Sequence, residues 1–311
     1  LGLLNTLVKV IRRDQGKSRE YCCSTISNLA VAADNKVIMG RSDLGILKAL
    51  QEVCMEDFGE ARVIACAALS HLATATQNKL RMLRPDIDVF RSLVTVLHGD
   101  KAKAGLFACS TLNHLSMLPQ NKTAMLAAPD FVPVLVETIW EAEGKIVSFA
   151  TSCVASLSTA VDNRVVLVSG GMGVVEALVY IIRQYMSTEI IHDKATHAQL
   201  MLQAAHVADG SSSKASGAFA GAVVSKTEVA QRIKTINHAC ASLRSLSVAA
   251  ENKVEMASSK TGVLALLVEL LRSDYEEAKS NATFIVWNLA VNSDNQRGMI
   301  ADESLGLLRV L

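Results

Sequence analysis

Six side chains that both donate and accept hydrogen bonds recur at nearly constant spacing. They are separated by 43, 43, 42, 89 and 43 residues, and they are Asn28, His71, His114, Ser156, Ser245 and Asn288. We call this set the ladder. An extended peptide carries backbone N–H and C=O groups at regular intervals, and such side chains can pair with them. The chemistry that the ladder offers is recognition of a peptide backbone.

Cysteine and histidine can bind metals or act as nucleophiles, but their spacing here argues against both roles. Four of the seven cysteines stand five residues before a ladder residue, at Cys23, Cys66, Cys109 and Cys240. Packed helices lie about 8–10 Å apart, which is too far for thiols on successive helices to share a metal or a disulfide. We predict reduced, mostly buried cysteines, hydrogen-bonding rather than metal-binding roles for His71 and His114, and no metal or cofactor.

Catalytic motifs are absent from the sequence. It lacks the G-x-S-x-G nucleophile turn, the P-loop, the G-x-G-x-x-G fingerprint and the H-E-x-x-H zinc motif. The glycine-rich run at residues 169–173 has no strand before it, so we interpret it as a turn between helices. We predict that the chain is not an enzyme and has no small-molecule substrate.

A second row lies close to the ladder by rotation, because it stands seven residues earlier, nearly two helical turns. Its members are Tyr21, Ile64, Phe107, Phe149, His238 and Asn281. Exposed apolar side chains at these positions would form pockets for a partner, and the alternative is packing under the neighbouring repeat. We take Phe107 and Phe149, together with Trp287 beside the last ladder residue, as candidate groove residues.

The residues around each ladder position predict an amphipathic helix. One residue after the ladder stands a leucine, two before it an aliphatic residue and six before it a small residue, in all six copies. At about 100° per residue these positions share one helix face, and the ladder lies on the opposite face. We therefore expect the ladder to face solvent and the leucines to face a core.

Each ladder helix belongs to a longer repeated unit. Seven residues after the ladder stands an asparagine, in segments such as NLAVAADNK and HLATATQNK. A short helical stretch with a recurring methionine follows, then a turn, then a longer apolar helix such as LGILKALQEV. Three helices in about 42 residues are typical of a helical repeat array. An aromatic content of 4% and only four prolines also disfavour a β architecture.

This unit, N-L-A-x-x-x-x-N-K followed by a small-residue turn and a leucine-rich helix, resembles the armadillo repeat of catenin-like and importin-alpha-like proteins. The resemblance covers residues 1–186 and about 232–311. It implies an all-α, right-handed α-solenoid of about six three-helix repeats with one insertion. It also implies a concave groove lined by the third helices, in which an asparagine bonds the backbone of an extended peptide.

The pattern predicts a single array over residues 1–311. Both ends have the pattern of a leucine-rich second helix, so we interpret the chain as a fragment that begins and ends inside a repeat. The long interval predicts an insertion at 186–228, between the second and third helices of one repeat, with a decayed repeat as the alternative. Residues 209–227 are rich in Ser, Ala and Gly and are predicted to be disordered.

These features together favour a protein–protein interaction scaffold that binds an extended peptide or a partner helix in the groove. The alternative is a regulatory array of a larger protein whose catalytic module lies outside this fragment. With 31 basic and 30 acidic residues the net charge is +1, which disfavours nucleic acid as a partner. No apolar run reaches the ~20 residues of a membrane span. The cysteine pattern predicts an intracellular protein, in the cytoplasm, with the nucleus as the alternative.

Overall fold

The computed structural model describes residues 2–187 and 226–301, and this part of the chain contains helices and no strand. In chain order the elements are α1 (Gly2–Arg13), α2 (Lys17–Leu29), α3 (Ala33–Met39), a 3-10 turn (Ser42–Leu44), α4 (Ile46–Glu56), α5 (Glu60–Leu72), α6 (Thr76–Met82), α7 (Val89–Gly99), α8 (Lys103–Ser116), α9 (Pro119–Leu126), α10 (Phe131–Glu141), α11 (Lys145–Ser158), α12 (Val161–Ser169), α13 (Val174–Ser187), α14 (Lys226–Leu246), α15 (Asn252–Ala257), α16 (Val263–Leu271), α17 (Glu276–Ala290) and α18 (Ser293–Ala301).

The helices fall into three classes that alternate along the chain, which confirms the predicted three-helix repeat. The short first helices are α3, α6, α9, α12, α15 and α18, the second helices are α1, α4, α7, α10, α13 and α16, and the third helices are α2, α5, α8, α11, α14 and α17. Each third helix packs against the third helix of the next repeat, so the repeats stack in one continuous array.

The core consists of the rows that the repeat pattern predicts. The aliphatic row two residues before the ladder is buried throughout, at Ile26, Leu69, Leu112, Val154, Leu243 and Val286. The recurring methionine of the first helix is buried as well, at Met39, Met82, Met125, Met256 and Met299. Because a repeat contacts only its neighbours, each of these positions meets the same surroundings in every copy.

The chain turns sharply between the first and second helices of a repeat. The angle is 91° between α9 and α10 and 85° between α12 and α13. Gly173 and Gly262, with φ of 69° and 68°, stand directly before α13 and α16 in the left-handed region. Glycine adopts this conformation without a steric penalty, which explains its place at these two turns.

The repeated asparagine is a buried link between successive repeats. Asn78 Nδ2 donates one hydrogen bond to Leu72 O at the end of α5 (3.0 Å) and another to Lys36 O in α3 (2.8 Å). The same pair of bonds is made by Asn121, Asn163, Asn252 and Asn295. Within the described residues Asn35 makes only the bond to Leu29 O, because no first helix precedes it there. The residue that marks the repeat in the sequence therefore ties the repeats together.

The stacking continues across the long interval of the sequence. Asn252 Nδ2 donates to Arg164 O (2.9 Å), 88 residues earlier, as the other asparagines donate to the preceding first helix. Helix α14 packs on α11 and α17 as a third helix, so residues 188–225 lie between the second and third helices of one repeat. Residues 186–187 and 226–228 of the predicted insertion are helical. The predicted disorder at 209–227 lies outside the described residues, apart from Lys226 and Thr227 in α14.

Candidate partner-binding surface

The third helices form the surface that could receive a partner. Their mutual contacts are more extensive than those between the consecutive second helices α1, α4, α7 and α10. A two-layer array that packs more closely on one side curves toward that side, so the third helices lie on the inner surface. Neighbouring third helices meet through facing side chains, as in the Ser70 Oγ–Ser110 Oγ contact of 3.1 Å between α5 and α8.

The ladder is less exposed than the sequence predicts. Asn28 is exposed, the four members in the middle are half-buried, and Asn288 is buried with 7% of its surface accessible. The expectation that all six face solvent is therefore wrong for Asn288 and only partly met by His71, His114, Ser156 and Ser245. The physical reason is that each ladder residue after the first lies in the seam against the preceding third helix, whereas the rotational argument treated each helix as isolated.

Three ladder members use their hydrogen bonds across these seams. His71 Nδ1 lies 3.3 Å from both Ser27 Oγ and Ser27 O, and Ser156 Oγ donates to Ser116 O at 2.7 Å. Asn288 Nδ2 donates to Ser247 Oγ at 3.1 Å. The first two bonds join a third helix to the one before it, and the third joins α17 to Ser247, which directly follows α14. These three ladder members therefore form hydrogen bonds between neighbouring repeats.

The other three ladder members, Asn28, His114 and Ser245, alternate with the first three. Within residues 2–187 and 226–301 their side chains make no hydrogen bond, and His114 Nδ1 is buried without a partner. Every second third helix therefore carries a ladder side chain without a hydrogen-bond partner in the described part of the chain.

The second predicted row is only partly open to a partner. Tyr21 is exposed, whereas Phe107 and Phe149 are half-buried and pack against the hydrophobic core. Asn281 is buried, and its Oδ1 accepts a hydrogen bond from Arg244 at 3.2 Å. Phe107 and Phe149 therefore offer a partner only part of their side-chain surface.

Trp287 is 62% exposed and lies at the last seam of the described residues. Its ring meets the Phe284 ring edge-on at 5.5 Å, and the Arg244 guanidinium lies 4.2 Å from the centre of the Phe284 ring. Trp287 stands at the position where Ser27 and Ser70 contact the following third helix. Its exposure therefore reflects a seam that no described helix covers.

A column of cations runs beside the ladder, and the ladder analysis of the sequence missed it. The residue after the repeated asparagine is basic in five repeats, at Lys36, Lys79, Lys122, Arg164 and Lys253. All five are half-buried, and within the described residues none forms an ion pair. Lys36 Nζ donates to Thr74 Oγ1 (2.8 Å) and Lys122 Nζ to Thr159 Oγ1 (2.5 Å), each at the end of the next third helix. The asparagine followed by a basic residue, which is N-K in four repeats and N-R in a fifth, was the sequence signal for this column.

Burial and these cations set the electrostatics of the surface. Burial lowers the pKa of His114, and the nearby Lys79 and Lys36 ammonium groups lower that pKa further. Burial also lowers the pKa of Lys79 and of Lys122. The pKa of His238 is lowered by burial and by Lys234, against smaller opposing effects of its hydrogen bond to the Ser148 backbone and of Glu277. Both histidines therefore favour their neutral form in the folded protein.

This electrostatic pattern predicts an acid-sensitive fold. The free energy of unfolding should fall as the pH drops through about 6.5, because the unfolded chain protonates both histidines near their ordinary pKa of about 6.5, whereas the folded chain protonates them only at lower pH. Urea denaturation followed by circular dichroism at several pH values measures this. A double variant, His114→Gln with His238→Gln, should lose stability less steeply. An equally steep loss in that variant would show that other groups cause it.

Comparison with known proteins yields structures but no sequence relatives: no family model and no curated protein matches the chain. A designed armadillo repeat protein solved in complex with the peptide (KR)4 has a TM-score of 0.66 at 13% identity, over 92% of this chain and 99% of the other. A computationally designed armadillo repeat protein for modular peptide recognition gives 0.67 at 14%, over the same shares. An engineered protein gives 0.69 at 17%, over 97% of this chain and 61% of the other.

This chain has an armadillo-repeat fold. The likeness extends to the whole three-helix stack, since the two designed armadillo proteins are covered almost completely. At identities below one fifth it shows the fold alone.

The second helices form the outer layer of the armadillo array and carry their own contacts between repeats. Arg12 Nε lies 2.9 Å from Glu52 Oε2, His98 Nδ1 lies 2.9 Å from Glu137 Oε2, and Arg183 Nη2 lies 2.9 Å from Glu269 Oε1. Between α10 and α13 the rings of Trp140 and Tyr180 stack at 4.2 Å instead. Exposed pairs of this kind contribute at most about 1 kcal/mol each, so this face stabilises the array weakly.

The described part of the armadillo array offers neither a metal site nor a single membrane-spanning helix. No three His, Cys, Asp or Glu side chains converge within residues 2–187 and 226–301. No one helix in these ranges is long and apolar enough to cross a bilayer, although the two bent pairs α9–α10 and α12–α13 reach that length and composition together.

Proposed function

We propose that this armadillo array is a non-catalytic scaffold that binds an extended peptide along its third helices. The observation that carries the proposal is the set of unpaired hydrogen-bonding groups on alternate third helices, on Asn28, His114 and Ser245. Asn28 is exposed, whereas His114 and Ser245 are half-buried, where an unpaired polar group is costly unless a partner satisfies it. An extended backbone supplies both donors and acceptors for such groups.

The spacing of these groups suits an extended chain. Adjacent packed helices are about 10 Å apart, so alternate third helices are separated by about 20 Å. An extended peptide advances about 3.3 Å per residue, so about six residues span each interval. A segment of about 12–14 residues would thus reach from Asn28 to Ser245. The peptide complex of a similarly folded designed protein supports this mode of binding.

We further propose an intracellular location, in the cytoplasm or the nucleus, for this scaffold. All seven cysteines are free, and six of them are buried, although Cys54 Sγ and Cys66 Sγ lie only 3.5 Å apart. Two thiols that lie so near each other without forming a disulfide are typical of proteins in a reducing compartment. This supports the proposal.

The test is selection of random 14-residue peptides on the purified chain, followed by affinity measurement on two triple variants. The first replaces the unpaired members, Asn28, His114 and Ser245, by alanine. We expect it to weaken peptide binding at least about tenfold, because each lost hydrogen bond is worth about 0.5–1.5 kcal/mol. Its folding should change little, since these side chains make no hydrogen bond within the described residues.

The second triple variant is the matched control. It replaces the engaged members, His71, Ser156 and Asn288, by alanine, and it should lower the free energy of unfolding, because it removes bonds between helices. Undiminished peptide affinity in the first variant, or no selected peptide at all, would contradict the proposed function.

A further inference from the structure

The repeat formed by α3, α4 and α5 departs from the core pattern of the others, because its second and third helices both contribute a thiol. The third-helix column is small throughout, and the residue 12 positions before it, on the second helix, is a bulky aliphatic residue in the other repeats with a short connection. These pairs are Ile11 with Cys23, Cys54 with Cys66, Leu97 with Cys109, Ile139 with Thr151 and Leu271 with Thr283. The periodic packing of the array therefore does not require a cysteine at position 54.

The two thiols of this repeat are in direct contact. Cys54 Sγ lies 3.5 Å from Cys66 Sγ, and both side chains are completely buried. Cys54 is in the last turn of α4, and three residues, 57–59, connect that helix to α5. A disulfide bond is about 2.05 Å long, so the sulfur atoms would have to approach by about 1.5 Å to form one.

A second pair of buried thiols, Cys109 and Cys153, lacks this contact. Cys109 Sγ donates to Ile146 O at 3.6 Å, and Cys153 Sγ donates to Leu112 O at 3.8 Å. Each of these thiols is thus bonded to a backbone oxygen of another helix. Among the described residues, the sulfur–sulfur contact belongs to Cys54 and Cys66.

A guanidinium group lies beside this contact. Arg62 stands one helical turn before Cys66 on α5, and its Nε is buried without a hydrogen-bond partner. The hydrogen bond with Cys66 and burial raise the pKa of Cys54 well above its usual value, and the charge of Arg62 opposes this rise. The guanidinium carbon also lies 4.4 Å from the centre of the Phe58 ring, which is 85% exposed in the α4–α5 connection. A cation near a thiol favours the thiolate, which is the form that reacts.

We propose that Cys54 and Cys66 are a redox-active pair that closes to a disulfide at the expense of a small disulfide such as oxidised glutathione. One cysteine thiolate attacks a glutathione sulfur, the S–S bond of the glutathione disulfide breaks, and one glutathione thiolate leaves and takes up a proton. The other cysteine then loses its proton and attacks the protein sulfur of the mixed disulfide. A new S–S bond forms, the second glutathione leaves, and two protein thiols have been oxidised while one glutathione disulfide has been reduced.

The disulfide would tie the end of α4 to the middle of α5. Helix α5 bonds to both neighbouring third helices, through His71 to α2 and through Ser70 to α8. The reagent reaches the buried pair only when the α4–α5 connection opens, so oxidation is slow, and the bond then opposes further opening. The pair lies in the core and not on the partner-binding surface, so this inference does not depend on the proposed function.

The test is incubation of the native chain with excess oxidised glutathione at about pH 8, followed by mass spectrometry and by thiol counting in urea. Cys22, which is half-buried, should take up one glutathione, whereas the pair should lose two hydrogens and keep no adduct. The number of free thiols should fall from seven to four, and a reductant should restore all seven. Peptide mapping should find Cys54 linked to Cys66.

Two variants assign the oxidation to this pair. Cys66→Thr should abolish the loss of two hydrogens, and the fold should accept it, because Thr151 and Thr283 occupy the same position in other repeats. The matched control Cys109→Thr removes a thiol from the same column and should leave that loss unchanged. The same loss of two hydrogens in Cys66→Thr would overturn the proposal, since another pair would then be responsible.

Refolding the reduced chain from urea in a mixture of reduced and oxidised glutathione removes the need for the native protein to open. The Cys54–Cys66 disulfide should form under these conditions as well, and the linked protein should unfold at a higher urea concentration than the reduced one. If the native and the refolded chain both lack this disulfide, the two thiols are a packing contact and the proposal is wrong.

Discussion

Replacing Asn121 by alanine is expected to lower the free energy of unfolding by about 1–3 kcal/mol, because the change removes two buried hydrogen bonds. The Asn121 amide donates to Leu115 O at 3.0 Å and to Lys79 O at 3.1 Å, and the side chain is almost fully buried. Both carbonyl oxygens would lose their side-chain donor. Long repeat arrays can unfold in parts, so hydrogen exchange of the amides in α8 and α9 is a sharper measurement than a global denaturation curve.

Asn35 provides a matched control for this prediction. It stands at the same position of its repeat but makes a single hydrogen bond within the described residues, to Leu29 O at 3.0 Å. Asn35→Ala should therefore cost about half as much as Asn121→Ala, and Gln120→Ala, on the exposed neighbour, almost nothing. Equal costs for Asn35 and Asn121 would show that the bond between repeats contributes no stability.

The fold could be predicted because its core positions recur. A buried leucine such as Leu112 or a buried methionine such as Met125 occupies the same column in repeat after repeat, and only packing imposes that regularity on apolar side chains. The spacing also predicted that the repeat pattern resumes after the long interval, and α14 does stack on α11 as a third helix.

The surface was harder to predict because it depends on pairs of repeats. Asn288 is buried beside Ser247, which directly follows the preceding third helix, and a single helical wheel does not include that neighbour. Lys36 donates to the hydroxyl of Thr74, which stands 38 residues later. At the same distance from Lys79 stands Met117, which has no hydroxyl, so Lys79 has no such partner. Comparing each residue with the residue that faces it in the next repeat would have revealed both the Asn288 bond and the missing partner of Lys79.

The cysteines show the same limit within one repeat. Spacing predicted correctly that Cys23, Cys66, Cys109 and Cys240 are buried. It gave no sign that Cys54 of α4 lies beside Cys66 of α5, with their Sγ atoms 3.5 Å apart. That contact depends on how a second helix and a third helix cross, which the repeat period does not encode.

One of the seven thiols should react quickly with an aromatic disulfide reagent in the native protein, and six should react slowly. Cys22 is half-buried, whereas the other six cysteines are buried. Burial raises the pKa of Cys23, Cys153 and Cys240 to about 12 and raises that of Cys109 as well. Because the thiolate is the reacting form, both its scarcity and the need for local opening slow these thiols by several orders of magnitude.

The measurement is the release of the coloured leaving group at about pH 8, with and without urea. All seven thiols should react in urea, and Cys22→Ser should remove the fast phase of the native protein without changing the slow one. Mass spectrometry of partly labelled protein assigns the sites. Fast, stoichiometric labelling of Cys66, Cys109 or Cys240 would mean that this column is open to solvent, and the packing of α5, α8 or α14 against its neighbours would then be looser than the structure shows.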